Sequence, residues 1–225
     1  MLKLKRILYK ISVWFFGLSV GLVVFFKFVP VPFTPLMGIR IIENKLDKKP
    51  IYFEHNWEPI ENISMNLQKA VIASEDGTFL HHHGFDFSAM QKAFQNNASG
   101  KRIKGGSTIS QQTAKNVFLW QGRSYFRKAL EAYFTVLIEL IWGKERIMEV
   151  YLNSIEMGDG IYGAHAATQY WYGKDASSLT KIQAAGIAAI LPNPRKFKAS
   201  NSTAFINRRK DRIVRVMRHI GTIEY

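Results

Sequence analysis

Between Ile11 and Phe26 the chain is apolar apart from two serines and two glycines (ISVWFFGLSVGLVVFF). Extended from Ile7 to Val29, the run exceeds the roughly 20 residues that cross a bilayer. It has no polar face, which argues against a core helix. Lys10 and Lys27 stand near its two ends, where lysines snorkel to the interfaces. Residues 1–10 hold Lys3, Lys5, Arg6 and Lys10 and no acid, so the N-terminus is expected in the cytoplasm. A cleaved signal peptide is the competing reading. No small-x-small cleavage site follows the run, however, but VPVPFTP. The expected division is a cytoplasmic tail over 1–6, a transmembrane helix over 7–29 and one extracytoplasmic domain over 30–225.

Beyond the span, Pro30, Pro32 and Pro35 predict a stiff, extended exit. Residues 40–60 mix short apolar and charged pieces without a clear period, which predicts loop with one strand. From Ile63 onward helical spacing dominates. A helix is predicted over Ser64–Ser74, and another capped by Asp86 or Ser88 and running through Phe94. Asn96–Lys104 is polar, basic and glycine-containing, and predicts a mobile loop. Arg127–Trp142, apolar on nearly every face, predicts a buried central helix, with another helix over Lys144–Asn153. Thr180 and Gln183 form a capping-box pattern before Ala184–Leu191, which Pro192 and Pro194 stop. Phe205–Ile220 reads as a basic amphipathic helix. With no internal repeat, the expectation is one mostly α fold.

Composition narrows the partners. The 225 residues suit one domain plus a short extra element. The absence of cysteine excludes disulfides and thiolate metal sites. A formal charge of +14, from 31 Lys and Arg against 17 Asp and Glu, favours anionic partners. Beside a membrane span, and with no nucleic-acid recognition motif, that points to phospholipid or a lipid-linked substrate and to no nucleic acid.

Three polar clusters carry candidate chemistry. Glu75 ends a predicted helix before a loop with Gly77 and Gly84, a position where a carboxylate can act as general base; a solvated helix-terminal Glu is the bland alternative. Asp76 reads as a cap, a metal ligand or a support for that loop. His81, His82 and His83 are adjacent and point in different directions, so a structural histidine is preferred to zinc. Gly105-Gly106, then Ser107 and Thr108, look like a turn and N-cap, and helix N-termini bind anions. On that helix Gln111 and Lys115, and Gln112 and Asn116, lie four apart as neighbouring polar ridges. The third cluster is Arg123, Arg127, Lys128 and Glu131, at the start of an otherwise apolar helix. The basic residues Arg208, Arg209, Lys210, Arg212, Arg215 and Arg218 read as a solvated or membrane-facing surface.

Together these runs resemble the peptidoglycan glycosyltransferases of the monofunctional, membrane-anchored type (glycosyltransferase family 51). The matches are ED-x-x-F-x-x-H-x-G-x-D at 75–86, GGSTIS-QQ-x-x-KN at 105–116, RK-x-x-E at 127–131 and K-x-x-I-x-E-x-YLN at 144–153. A fifth spans about 160–194, with G-x-x-x-A, Tyr170, Gly173-Lys174, Leu179 and Leu191-Pro192. Ser110 stands where Thr is usual and Trp171 where Phe is usual. Ser178-Leu179-Thr180-Lys181 spells S-x-x-K, but no S-D-N or K-T-G follows, so no transpeptidase is expected.

The resemblance implies a lysozyme-like helical glycosyltransferase domain, preceded by one transmembrane helix, with a membrane-dipping jaw over about Phe87–Lys104 that uses Phe87, Met90 and Phe94. It implies polymerisation of lipid II into β-1,4-linked peptidoglycan, an inverting transfer releasing undecaprenyl pyrophosphate. Glu75 matches the family's general base and Glu131 its second carboxylate. Substrate binding falls to Asp76, Ser107, Thr108, Gln111, Gln112, Lys115, Asn116, Arg123, Arg127 and Lys128. A divalent cation, magnesium or manganese, is implied, with its ligands unassigned. The implied partners are lipid II, the growing lipid-linked glycan, the membrane, and cell-wall synthesis and division proteins. The implied location is the inner membrane, single-pass, with the catalytic domain periplasmic. The rival readings are a lysozyme-like lytic hydrolase, which needs a proton donor for a sugar leaving group, and a non-catalytic glycan or lipid binder.

Overall fold

The computed structural model describes residues 2–98, 106–122 and 124–225. Helix α1 (Leu2–Phe28) is the apolar N-terminal segment, and most of its side chains face outward. Its second half is fastened to the rest of the chain. Trp142 donates its indole N–H to the Val23 carbonyl at 2.7 Å. Arg146 donates to the Phe26 and Val29 carbonyls at 2.8 and 2.7 Å, and the hydroxyls of Ser19 and Tyr133 lie 2.7 Å apart. Phe15 and Phe16 pack on the Tyr133 ring. Trp142→Phe keeps an aromatic ring but removes the indole N–H that the Val23 carbonyl accepts. It is expected to cost about 1–3 kcal/mol, read as a lowered unfolding temperature in detergent.

Helix α2 (Pro35–Leu46) follows, where loop was expected. Thr34 caps it, its hydroxyl accepting from the Met37 N–H, and Pro35 occupies the first turn, where its missing N–H costs nothing. The start signal was therefore present, but the apolar period was unreadable because the helix turns charged residues inward. Strand β1 (Glu54–His55) is the one short strand expected in that stretch.

The remaining helices form one head: α3 (Met65–Glu75), α4 (Phe87–Ala98), α5 (Ile109–Phe118), α6 (Tyr125–Ile141), α7 (Gly143–Ser154), α8 (Gly163–Tyr172), α9 (Lys181–Ile190) and α10 (Ala204–Met217). Alanine-rich α9 is buried from Ala184 to Ile190, which lets α3 and α10 approach it closely; α5 packs against α6 and α7. A three-stranded sheet, ordered β1-β3-β2, pairs β1 parallel with β3 (Ile161–Tyr162) and β2 (Glu156–Gly158) antiparallel with β3. Gly160 turns β2 into β3 at φ +73°, against the Tyr52 carbonyl, where a Cβ has no room.

Two further expectations change. Helix α4 runs to Ala98, so the predicted loop over Asn96–Lys104 begins as helix, and its residues 99–104 lie outside the described residues. Phe87 and Met90 are exposed on α4 as the jaw reading requires, while the Phe94 side chain also lies outside the description. Helix α6 is not buried on all sides: Leu140 is 78% exposed and Val136 45%. One face packs on α5 and another on α1, which leaves a third, apolar face open.

Candidate active site

Glu75 is the last residue of α3, and its side chain is only 15% exposed. Gln112 of α5 donates its amide to Glu75 Oε2 at 3.3 Å. The Ser74 hydroxyl stands 3.1 Å from Oε1, and Arg209 of α10 reaches the same oxygen at 3.8 Å. The Tyr151 hydroxyl donates to Gln112 Oε1 at 3.3 Å. Burial, with Glu75 and Asp76 adding to it, holds the Tyr151 phenol well above its usual pKa, so it stays a donor. Carboxylate, amide and phenol form one chain that aims Glu75 from three elements.

Asp76 serves the scaffold. Buried at the end of α3, it accepts the Ile109 N–H at 2.9 Å and the His82 ring Nε2 at 3.0 Å. Because His82 Nδ1 accepts from the Gly84 N–H at 3.0 Å, the ring proton sits on Nε2 and points at Asp76. Gly84 itself has φ +90°, and a Cβ there would meet Thr135 Cγ2 at 2.7 Å. Its carbonyl accepts the Thr108 hydroxyl at 2.7 Å. Thr108 and Gln111 complete a reciprocal capping box, Thr108 N–H to Gln111 Oε1 at 3.0 Å and Gln111 N–H back to Thr108 Oγ1 at 3.2 Å. The protein's own Asp76 therefore occupies the positive end of α5, where an anionic ligand was considered. Asp76→Ala strips a charge-assisted acceptor from both Ile109 and His82. We expect it to lower stability by about 1–3 kcal/mol, read by thermal unfolding.

One turn further along α5 stands the second half of the site. Arg127 donates to Glu131 Oε2 at 2.7 Å and to the Gly122 carbonyl at 2.8 Å, and Lys128 holds Glu131 Oε1. Arg127 and Glu131 are both buried, so each neutralises a charge that burial alone would penalise. Ser124, Tyr125, Arg127 and Lys128 line an open cavity of about 410 Å³. Lys115 makes no ion pair among the described residues. Burial lowers its pKa below the usual lysine value; Glu131 opposes that shift, while Arg127 and Lys128 reinforce it. The lysine thus lies within the field of the α6 cluster.

The fold lines these groups up along α5: Glu75 is bonded to Gln112, and Lys115, one turn on, lies in the field of Arg127, Lys128 and Glu131. Thr108 and Gln111 are held by their reciprocal cap and by Gly84, Asn116 is buried, Ser107 is exposed, and Arg123 lies outside the described residues. Four residues went unseen as neighbours of these groups. Glu139 accepts from Ser110 Oγ at 2.5 Å and Lys144 Nζ at 2.7 Å, and Lys144 also stands 4.6 Å over the Phe79 ring. In the sequence, Tyr151 and Lys144 stand only as members of the 144–153 motif. Arg209, one of a run of basic residues, carried no signal that set it apart.

No group of three or more His, Asp or Glu among the described residues is arranged to hold a metal ion, and both oxygens of Glu131 are already engaged by cations. Among the described residues, the side chains by themselves do not build a resident divalent-cation site.

A family profile described as Transglycosylase matches residues 44–218. A protein of Caulobacter vibrioides named biosynthetic peptidoglycan transglycosylase is 55% identical over 191 residues, covering 85% of this chain and 81% of its own length. Proteins of the same name from Pseudomonas syringae pv. syringae and Pseudomonas putida (strain KT2440) are each 50% identical, over 222 and 220 residues. These alignments cover 99% and 98% of this chain and 94% and 93% of the relatives.

Proposed function

This chain belongs to the transglycosylase family, and we propose that its cleft joins lipid II disaccharide units into β-1,4-linked glycan by an inverting transfer that releases undecaprenyl pyrophosphate. The chain is a peptidoglycan glycosyltransferase of cell-wall biosynthesis. The observation that carries the finer reading is the separation of charge along one turn of α5. A poised carboxylate, Glu75, stands beside Gln112, and a set of cations, Lys115, Arg127 and Lys128, stands beyond it.

The acceptor sugar's 4-hydroxyl attacks C1 of the donor. The new O4–C1 bond forms as the C1–O bond to pyrophosphate breaks. The hydroxyl proton passes to Glu75, and the departing electron pair stays on the pyrophosphate, whose charge the cations balance. Glu131 positions Arg127 and Lys128; with both oxygens held by cations it is poorly placed to give a proton to a sugar leaving group, as the hydrolase reading requires. A magnesium or manganese ion would enter with the pyrophosphate oxygens as its main ligands, the usual habit of magnesium at phosphates.

Helix α1 serves as a single membrane anchor. Its contacts with α6 run in parallel register, Phe16 and Ser19 on Tyr133 and Val23 on Trp142. We place the N-terminus in the cytoplasm and the head in the periplasm, beside other cell-wall synthesis and division proteins.

The test is purified protein in detergent with labelled lipid II and magnesium. A lysozyme-sensitive polymer, blocked by moenomycin (an inhibitor of the family), is expected. Cleavage of preformed glycan instead would favour the hydrolase, and neither activity would favour a binder.

A further inference from the structure

Helix α2 is amphipathic the wrong way round for a surface helix in water. Its Arg40, Glu43 and Asn44 side chains turn toward the head. Arg40 bonds Glu43 at 2.6 Å and Glu156 at 3.2 Å, and Arg195 bonds Asn44 at 2.9 Å and Glu43 at 3.4 Å. Leu36 and Met37 complete this inner face against Tyr162. The opposite face carries Gly38, Ile42 and Leu46 at four-residue spacing, and Ile42 and Leu46 are 59% and 77% exposed. Phe33, half-exposed, lies against Gly38 and packs on Phe53, and Ile51, two residues before Phe53 in the chain, is also exposed. A contiguous apolar strip of this kind on a soluble face marks a docking surface.

We infer that this strip rests in the outer surface of the lipid bilayer, at the foot of α1. The inference rests on α1 being the membrane anchor. Three observations select lipid as the occupant. The strip continues the anchor: α2 begins at Pro35, and the connection from Phe28 spans at most about 25 Å at 3.3–3.6 Å per residue. The exit of α1 is clamped to the head by Arg146 and Trp142, and α2 is clamped to the same head through Glu156 and Arg195. The two helices therefore keep a fixed relation and do not swing apart. Exposed Lys45, Lys48 and Lys49 and half-exposed Tyr52 border the strip, the pattern of a helix lying in a headgroup layer. The consequence is a second, fixed contact that sets the tilt of the catalytic cleft over the membrane.

The absence of cysteine makes the test direct. Ile42→Cys, Leu46→Cys and, within α1, Val20→Cys are each labelled with an environment-sensitive fluorophore. The full chain is reconstituted in vesicles of phosphatidylethanolamine and phosphatidylglycerol, with and without brominated acyl chains. All three side chains are exposed, so labelling leaves the fold undisturbed, which retained lipid II polymerisation checks. Expected is at least twofold quenching by brominated lipid at positions 42 and 46 as well as 20. Quenching at 20 alone, with 42 and 46 open to aqueous iodide, overturns the inference. Shielding of 42 and 46 from both quenchers also overturns it, in favour of a protein, such as a second copy, on the strip. Loss of quenching at 20 overturns the anchor reading itself and this inference with it.

Discussion

Glu75→Gln is expected to slow lipid II polymerisation about 10²–10⁴-fold, the range for removing a general base. The substitution is nearly isosteric, so the Ser74 and Gln112 neighbours keep their places and the head stays folded. What is lost is the acceptor for the 4-hydroxyl proton. The loss should fall on kcat, with KM for lipid II little changed and the unfolding temperature within a degree or two of the parent. A variant that retained most of its polymerising rate would remove Glu75 from the role. Arg209 offers an internal comparison. It stands 3.8 Å from Glu75 and touches the base from a third element, so Arg209→Ala should cost less than Glu75→Gln.

Lys115→Met is expected to lower kcat about 10²–10³-fold, the range for removing one preorganised group that stabilises developing charge. Methionine preserves the buried stem and deletes only the ammonium. Lys115→Arg should restore much of the rate and separates charge from packing. The pH dependence discriminates further. Burial depresses the Lys115 pKa from 10.5, so the ammonium is lost, and with it rate, on an alkaline limb that begins below the ordinary lysine range. Arginine stays charged, so Lys115→Arg should move that limb to higher pH. The stability linkage runs the other way. Between the folded pKa and 10.5 the unfolded chain binds the extra proton, so stability rises with pH across that window as activity falls. An alkaline limb that stayed in place in Lys115→Arg would assign it to another group.

Signals confined to a few neighbouring residues were legible. Thr108 with Gln111 and Thr180 with Gln183 announce helix starts within one turn, and both boxes form. Glu75 at a helix end and the Arg127–Glu131 spacing also stand as the sequence places them. Helix α2 was missed for the opposite reason. Its period makes sense only once Glu156 and Arg195, far along the chain, are known to receive Arg40, Glu43 and Asn44. Helix α6 misled in a related way. An all-round apolar helix is buried in a soluble protein, but here α1 covers one face and another is left open.

The sequence by itself determined the long apolar N-terminal helix, the helical class and the chemistry-bearing motifs, because hydrophobic period, caps and turn residues act over distances of a few residues. Tertiary structure alone decided the rest. It set Asp76 on the start of α5, drew Arg209 out of a uniform basic run to Glu75, and set Tyr151 and Gln112 behind that carboxylate. The physical reason is that a hydrogen bond or ion pair between distant segments depends on where the packed helices bring their side chains, and one turn of rotation in any of them would assign the same residues to different partners.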